Sequence, residues 1–352
     1  REVKGYREGP WSSRLMTFLK SGAGTLHLST AHHWRNIRKM LSVGVDLGGH
    51  TISAALVERK GETARMLSRA DRETPGSRGL DEVVQIIAGM VDEVSQGRQI
   101  SFVGIGIPGF LDKTRRKITR LTNFSGLENV YFLEHLAPVL NRRGLSPLIG
   151  MENDANCSAV GEAFCGAAKG CRDFIVLTLG TGIGSGIFVN GGLLTGAHGM
   201  AGESGHMTIS GKSDMSCGCG SAGHLETIAS ADYIERGARQ EGLPPNFRLL
   251  WNMRDDKRAD ALISNALDAL AGGIASLVVV LDPEKIILSG GMSKAEGLAE
   301  EVRARTLRWL PLPLREQLRI AASALGTEAA LYGAAPLSML ERRCRCPCQQ
   351  FL

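Results

Sequence analysis

Apolar residues in this chain recur at two spacings, and the alternation between them divides it into strands and helices. Val43, Val45 and Leu47 occupy every second place in a strand expected over 42–47, and Gly48-Gly49 turns the chain into a second strand over 51–57. A third is expected over 63–69. Leu80, Val83, Val84, Ile87, Met90, Val91 and Val94 form the apolar stripe of a helix over 80–94. Phe102–Ile107 reads as a buried strand stopped by Pro108-Gly109. After a basic stretch expected to form a hairpin (113–120), the pattern predicts a helix over 130–140, a strand over 147–151 and a helix over Asp154–Cys165. Beyond these it predicts strands over Phe174–Leu179, 184–189 and Lys285–Ser289. Helices are predicted over 228–240, 259–281, 294–307 and 326–340.

A strand, a glycine turn, a return strand and then a further strand with helices occur twice, from Ser42 and again from Asp173. The repeat is too irregular for a solenoid and fits a duplicated α/β unit. Two such lobes leave a cleft between them, a common place for a ligand.

Composition changes this picture only at the ends. With 352 residues, 43% hydrophobic and 22% charged, the chain is long enough for two moderate cores. Of the net charge of +5, residues 1–40 carry +6 and residues 41–352 carry −1, so no nucleic-acid surface is indicated across the body. No apolar run is expected to span a membrane. Residues 11–28 are too interrupted by Ser, Gly, Lys and Arg for a signal peptide; a disordered basic leader is expected, with an Arg-rich transit peptide as the alternative. The eight cysteines do not make a disulfide scaffold in a chain of this length. Cys217 and Cys219 have metal-ligand spacing in a glycine-rich loop, which fits a reducing, cytoplasmic setting. Cys344, Cys346 and Cys348 crowd a Pro-containing tail that reads as a frayed end rather than a metal site.

Three groups of residues carry candidate chemistry. Asp46-Leu47-Gly48-Gly49 and the turn holding Gly180, Thr181, Gly182 and Gly184 could present backbone N–H groups to phosphate, with Asp46 available to Mg²⁺. Ordinary hairpins use glycine in the same way. Asp154, at a strand-to-helix junction, could accept a hydroxyl proton in phosphoryl transfer; alternatively Asn153 or Asp154 simply caps the helix. His206, Cys217, Cys219 and His224 could form a closed Cys₂His₂ zinc site, or the cysteines could be free in a loop.

The motifs DLGG (46–49), GIGIPGFLD (104–112), TNFSGL (122–127), ENDAN (152–156), LTLGTGIGSGIFVNG (177–191), AGESGH (201–206), CGCGSAGHLE (217–226) and SGG (289–291) follow one another as in ROK sugar kinases, which this chain resembles from about Leu41 to Leu340. The resemblance implies an actin-like ATPase, ribonuclease H-like α/β fold of two lobes with an interlobe cleft. Expected boundaries are a small lobe over 41–150 completed by helix 326–340, a large lobe over 151–325 with the zinc loop, a basic extension over 1–40 and a Cys-rich tail over 341–352.

The same resemblance implies Asp154 as general base and Asn123, Asn153, Glu203, His206 and Glu226 as sugar ligands. It implies two phosphate loops, at Asp46–Gly49 and Gly180–Gly184, and an adenosine contact at Gly290 and Gly291 ahead of a helix from Lys294. His206, Cys217 and Cys219 resemble zinc ligands, and His224 stands where the family has a third cysteine. ATP, Mg²⁺ and structural Zn²⁺ are the implied cofactors. The implied partners are a sugar and further copies of the chain in a homodimer or higher homo-oligomer, with neither nucleic acid nor membrane.

The expected reaction phosphorylates an aldohexose, glucose first. N-acetylmannosamine, N-acetylglucosamine and fructose are alternatives, and a sugar-responsive repressor is the alternative of another class. Three features depart from the family: His50 and Thr51 replace Thr and Lys after the first glycine turn, His224 replaces cysteine, and TNFSGL lacks the usual proline and tryptophan.

Overall fold

The structure, a computed structural model, describes residues 26–27, 39–61, 63–76, 79–121, 124, 126–210 and 216–337. Two sheets of mixed direction organise it. The first runs in the order Thr63–Glu73, Thr51–Lys60, Met40–Leu47, Phe102–Ile107, Leu148–Asn153. The second runs Leu26–His27, Gly192–Leu193, Ile183–Val189, Phe174–Leu179, Lys285–Ser289, Ile320–Ala322. In both, an antiparallel hairpin is followed by two parallel strands added beside its first strand. The internal duplication expected from the sequence is therefore a duplication of sheet topology.

Alternation explains what each sheet face meets. In Met40–Leu47, Val43, Val45 and Leu47 are fully buried in one core with Val83, Ile87 and Val91 of the helix Leu80–Ser95. Gly44, pointing to the other face, leaves room for a closely approaching helix: a Cβ there would collide with the Leu331 carbonyl. Phe102–Ile107 repeats the pattern. Val103, Ile105 and Ile107 face the core, while a Cβ on Gly104 would strike the backbone of Ala334 and one on Gly106 would lie 3.5 Å from the Asp154 Cα. Two helices, Asp154–Cys165 and Ala329–Ala334, pass under this glycine face. They cross each other backbone to backbone, for a Cβ on Gly333 would sit inside contact distance of the Cys157 carbonyl and 2.6 Å from the Gly161 nitrogen.

Several elements differ from the sequence expectation for local reasons. The helix expected over 228–240 breaks at Ser230, which turns extended; its side chain caps the Tyr233 N–H, and the Ala231 N–H is drawn to the Gly180 carbonyl. The helix expected from Lys294 begins at Leu298, after a 3₁₀ turn over Met292–Lys294. The final helix is shorter than expected, a 3₁₀ turn over Gly326–Glu328 leading into Ala329–Ala334. Its entry is pinned by the buried Glu162 carboxylate, which accepts from Ser323 Oγ and the Leu325 N–H. The short strand Ile320–Ala322 and the helices Phe247–Asn252 and Leu312–Gln317 have patterns too brief to be read in advance.

Against the expectation that no segment would pass for a membrane span, Lys257–Leu281 does so by length and composition. In the fold, Ile263, Leu267, Leu270 and Ile274 bury it in the large-lobe core. Of the basic extension, Leu26–His27 pairs antiparallel with Gly192–Leu193. The rest of 1–38 and the tail from 338 lie outside the described residues.

Replacing Gly333 by Ala forces apart two helices already in backbone contact. It is expected to destabilise the fold by about 2–3 kcal/mol, the scale of overpacking a tight interior, read as a lower urea midpoint.

Candidate active site

Strand Leu148–Asn153 delivers its last residues directly into the helix Asp154–Cys165. Asn153 is the N-cap: its Oδ1 accepts from the N–H groups of Ala155 (2.9 Å) and Asn156 (3.1 Å). Its Nδ2 donates to the Gly109 carbonyl at 3.2 Å, which leaves one amide hydrogen. Asp154 follows at the first helical position, with Oδ1 accepting the Ala155 N–H at 2.8 Å and no protein partner for Oδ2 among the described residues. Burial pushes its carboxyl up to about 6, opposed by that N–H. The capping and chemical readings of this junction therefore separate by residue, Asn153 capping and Asp154 facing the cleft.

Gly48 and Gly49 of one lobe and Gly180, Thr181, Gly182 and Gly184 of the other line the same cavity of about 320 Å³ as Asp154. The first turn is closed by the Gly48 N–H on the Thr51 carbonyl and by Thr74 Oγ1 on the Gly48 carbonyl. The second is tied to the start of a helix through Ala231, as described above. Gly290 (φ +86°) joins the cavity because a Cβ there would stand 2.5 Å from the Leu179 carbonyl oxygen, so only glycine lets the end of Lys285–Ser289 approach the second turn. Gly291 opens the 3₁₀ turn and is not among the lining residues. Asp46 lies just beneath the lining, beside Gly106 and Asp154. Burial first, then the Asp154 charge, raises its carboxyl to about 7, against the pull of Arg69.

Glu203, His206 and Glu226 also line this cavity, as do His50, Phe110 and Asn153. Glu226 Oε2 accepts the Ile183 N–H at 2.9 Å, and its nearness to Gly182 leaves no room for a Cβ there. Glu203 is raised to about 7 by burial and by the neighbouring Asp154 and Glu226, with Arg115 pulling the other way. Ser185 Oγ holds the Gly202 carbonyl and lies 2.7 Å from Ser204 Oγ, fixing the segment that carries Glu203. Phe110 stacks on the His206 ring with centroids 6.1 Å apart.

The four proposed metal ligands converge. The donor atoms of His206, Cys217, Cys219 and His224 all lie within 4.8 Å of one another. Cys217 Sγ is 3.6 Å from His206 Nδ1 and Cys219 Sγ is 3.5 Å from His224 Nδ1. Ordinary zinc–sulfur and zinc–nitrogen bond lengths give a tetrahedral edge of about 3.6 Å between such atoms, so this donor set fits zinc. Asn123 lies outside the described residues.

Sequence reasoning gave no role to Glu152 or Arg115. Glu152, although inside the ENDAN motif, is 1% exposed and accepts from the Asn153 N–H (2.8 Å), Asn156 Nδ2 (3.1 Å) and Arg115 Nε (2.8 Å). A carboxylate in a run otherwise ending a buried strand was the available signal, since such a charge demands a cation. Nothing local pointed to Arg115 as that cation.

Two glycine-turned lobes meeting over a cavity lined by the Asp154, Glu203 and Glu226 carboxylates form the cleft of a phosphotransferase with the actin-like ATPase fold. The profile of the ROK family matches residues 42–340, and the chain belongs to that family. It is 32% identical over 317 residues to a glucokinase of Thermotoga maritima, covering 85% of this chain and 97% of the relative. The structure of a ROK family glucokinase from Streptomyces griseus in complex with glucose and AMPPNP is 31% identical, with a TM-score of 0.72 over 84% of this chain and 98% of that one. A ROK hexokinase from Thermus thermophilus is 32% identical, with a TM-score of 0.70 over 84% and 97%.

Proposed function

We propose that this chain, an ATP-dependent sugar kinase by family and cleft, phosphorylates glucose at its 6-hydroxyl with Asp154 as general base. One observation carries this reading: the Asp154 carboxyl shares one cavity with both glycine turns and with the Glu203, His206 and Glu226 cluster. With its pKa near 6 the group is mostly ionised at neutral pH, yet basic enough to take a proton in the transition state. As the sugar oxygen bonds to the γ-phosphorus, its proton passes to Asp154. The bond from phosphorus to the bridging oxygen breaks, and ADP leaves.

The surrounding residues supply binding and orientation. Glu203, Glu226, His206 and the remaining Asn153 amide hydrogen meet sugar hydroxyls, with Asn123 proposed beside them; a polyol bound there satisfies donors and acceptors that an apolar pocket would leave unpaired. The turns at Gly48–Gly49 and Gly180–Gly184 border the phosphates, with the N–H groups of Thr181 and Gly182 meeting phosphate oxygens, and Gly290 and Gly291 border the adenosine. Burial and the Asp154 charge raise the cost of ionising Asp46, an arrangement suited to Mg²⁺ arriving with the nucleotide and held through Asp46. Zinc in the Cys₂His₂ cluster would supply a closed structural anchor. His206, with Nδ1 turned to Cys217, keeps Nε2 for the sugar.

Asp154→Asn is expected to lower kcat at least ~100-fold while glucose affinity stays close to wild type; unchanged turnover would remove Asp154 from the mechanism. Because a raised carboxyl is protonated below its pKa, kcat/KM for glucose should fall about tenfold per pH unit below about 6. A rate profile flat down to pH 5 would contradict the assignment. Metal analysis of protein purified without chelator should find about one zinc per chain. Full activity in metal-free protein would refute a structural zinc.

A further inference from the structure

The hairpin between Phe110 and Arg120 belongs to the small lobe, yet its side chains reach the large one at three places. Phe110 stacks on His206, Arg115 Nη1 donates to the Gly199 carbonyl at 3.1 Å, and Arg120 Nη1 donates to the Cys219 carbonyl at 3.4 Å. Arg115 is the most constrained of these. Its side chain is 11% exposed, its backbone is left-handed (φ 57°), and its Nε bonds the buried Glu152. The Asp112 carboxylate fixes the turn beneath it by accepting from the N–H groups of Arg116 and Lys117, both at 2.8 Å. Gly199 (φ +83°) is shaped to this contact: a Cβ there would stand 2.5 Å from Arg115 Nη1 and 3.0 Å from the Lys113 Cα.

One guanidinium thus joins two segments of the site. Through Glu152 it bears on Asn153, the cap beside Asp154. Through Gly199 it bears on the loop that runs on to Glu203 and His206. We propose that Arg115 is a positioning residue that locks loop 194–203 against the start of the helix Asp154–Cys165 and so shapes the sugar pocket. The sugar is taken from the function proposed above; the clamp itself is not. A blander role exists, in which Arg115 only neutralises Glu152, and the two differ in what happens once that charge is gone.

The test compares wild type, Arg115→Met, and Arg115→Met combined with Glu152→Gln, the double variant removing the uncompensated buried charge. Hydrogen–deuterium exchange over residues 194–203 reads the clamp without any ligand. Steady-state kinetics with glucose and ATP read its use. The single variant should melt lower, and the double should recover most of the thermal midpoint. In both, exchange in the loop should rise at least ~10-fold. In the double, glucose KM should rise at least ~10-fold while ATP KM and kcat change less than ~3-fold. Wild-type exchange in the double variant overturns the clamp and leaves charge neutralisation. Faster exchange with an unchanged glucose KM overturns its service to the pocket. A wild-type enzyme that does not turn over glucose sinks the substrate reading instead, and exchange still decides the clamp.

Discussion

The site depends on one packing constraint, the confinement of the helix Asp154–Cys165 between two sheets and a second helix. Each neighbour approaches it through a glycine: Gly106 beneath the Asp154 Cα, Gly184 against the Ala155 Cβ, Gly186 against the Ala155 carbonyl and the Ala159 Cβ, and Gly333 against the Cys157 carbonyl. A helix held at van der Waals distance on three sides has no cheap way to slide or rotate, because any shift compresses backbone rather than a flexible side chain. The cap by Asn153 fixes where the helix begins, and therefore which residue stands first. Rigidity of this kind orients a reacting group without a loop having to order at the moment of reaction.

Electrostatics then set a cost that the packing must carry. Asp46, Asp154 and Glu203 all have carboxyls raised toward neutrality, primarily by burial and, for Asp46 and Glu203, also by the neighbouring Asp154 charge. The sign matters for stability. A carboxyl whose folded pKa lies above its unfolded value binds protons more tightly when folded, so its contribution is lost as pH rises from about 4 toward about 7. An empty cleft is thus least favourable near the pH where such an enzyme works. Hydroxyl donors and a divalent cation would relieve that repulsion, so binding energy and the cost of the empty site are parts of one arrangement.

Much of this was legible in the sequence because the signals are periodic or local. Strand Met40–Leu47 and helix Leu80–Ser95 follow from spacing alone, and the glycine turns, the strand-to-helix junction and the CGC loop are short motifs. Sequence spacing left the Cys₂His₂ cluster undecided, and only the fold brings His206 within 3.6 Å of Cys217. What escaped has a common cause. The break at Ser230 is imposed by the Gly180 carbonyl, and the short final helix by Glu162 and Ser323; both are tertiary contacts overriding helical periodicity. Arg115 was hidden in a basic stretch read only as a hairpin, and its partners lie 37 and 84 positions away.

That hairpin gives the cleft a division of labour. The crossing helices join the lobes beneath Gly44 and Gly104, a contact of backbone on backbone suited to a pivot. Phe110, Arg115 and Arg120 join them again over the polar cluster, through side chains whose hydrogen bonds can be remade after a small displacement. A polar ring can discriminate among polyols only if water is kept from competing for its donors and acceptors. A roof built on the lobe that carries Asp46 and Gly48, resting on the lobe that carries Glu203 and His206, would couple that exclusion to any approach of one lobe to the other. On the function proposed above, closing the pocket on a sugar and bringing the two glycine turns together over Asp154 would be one motion.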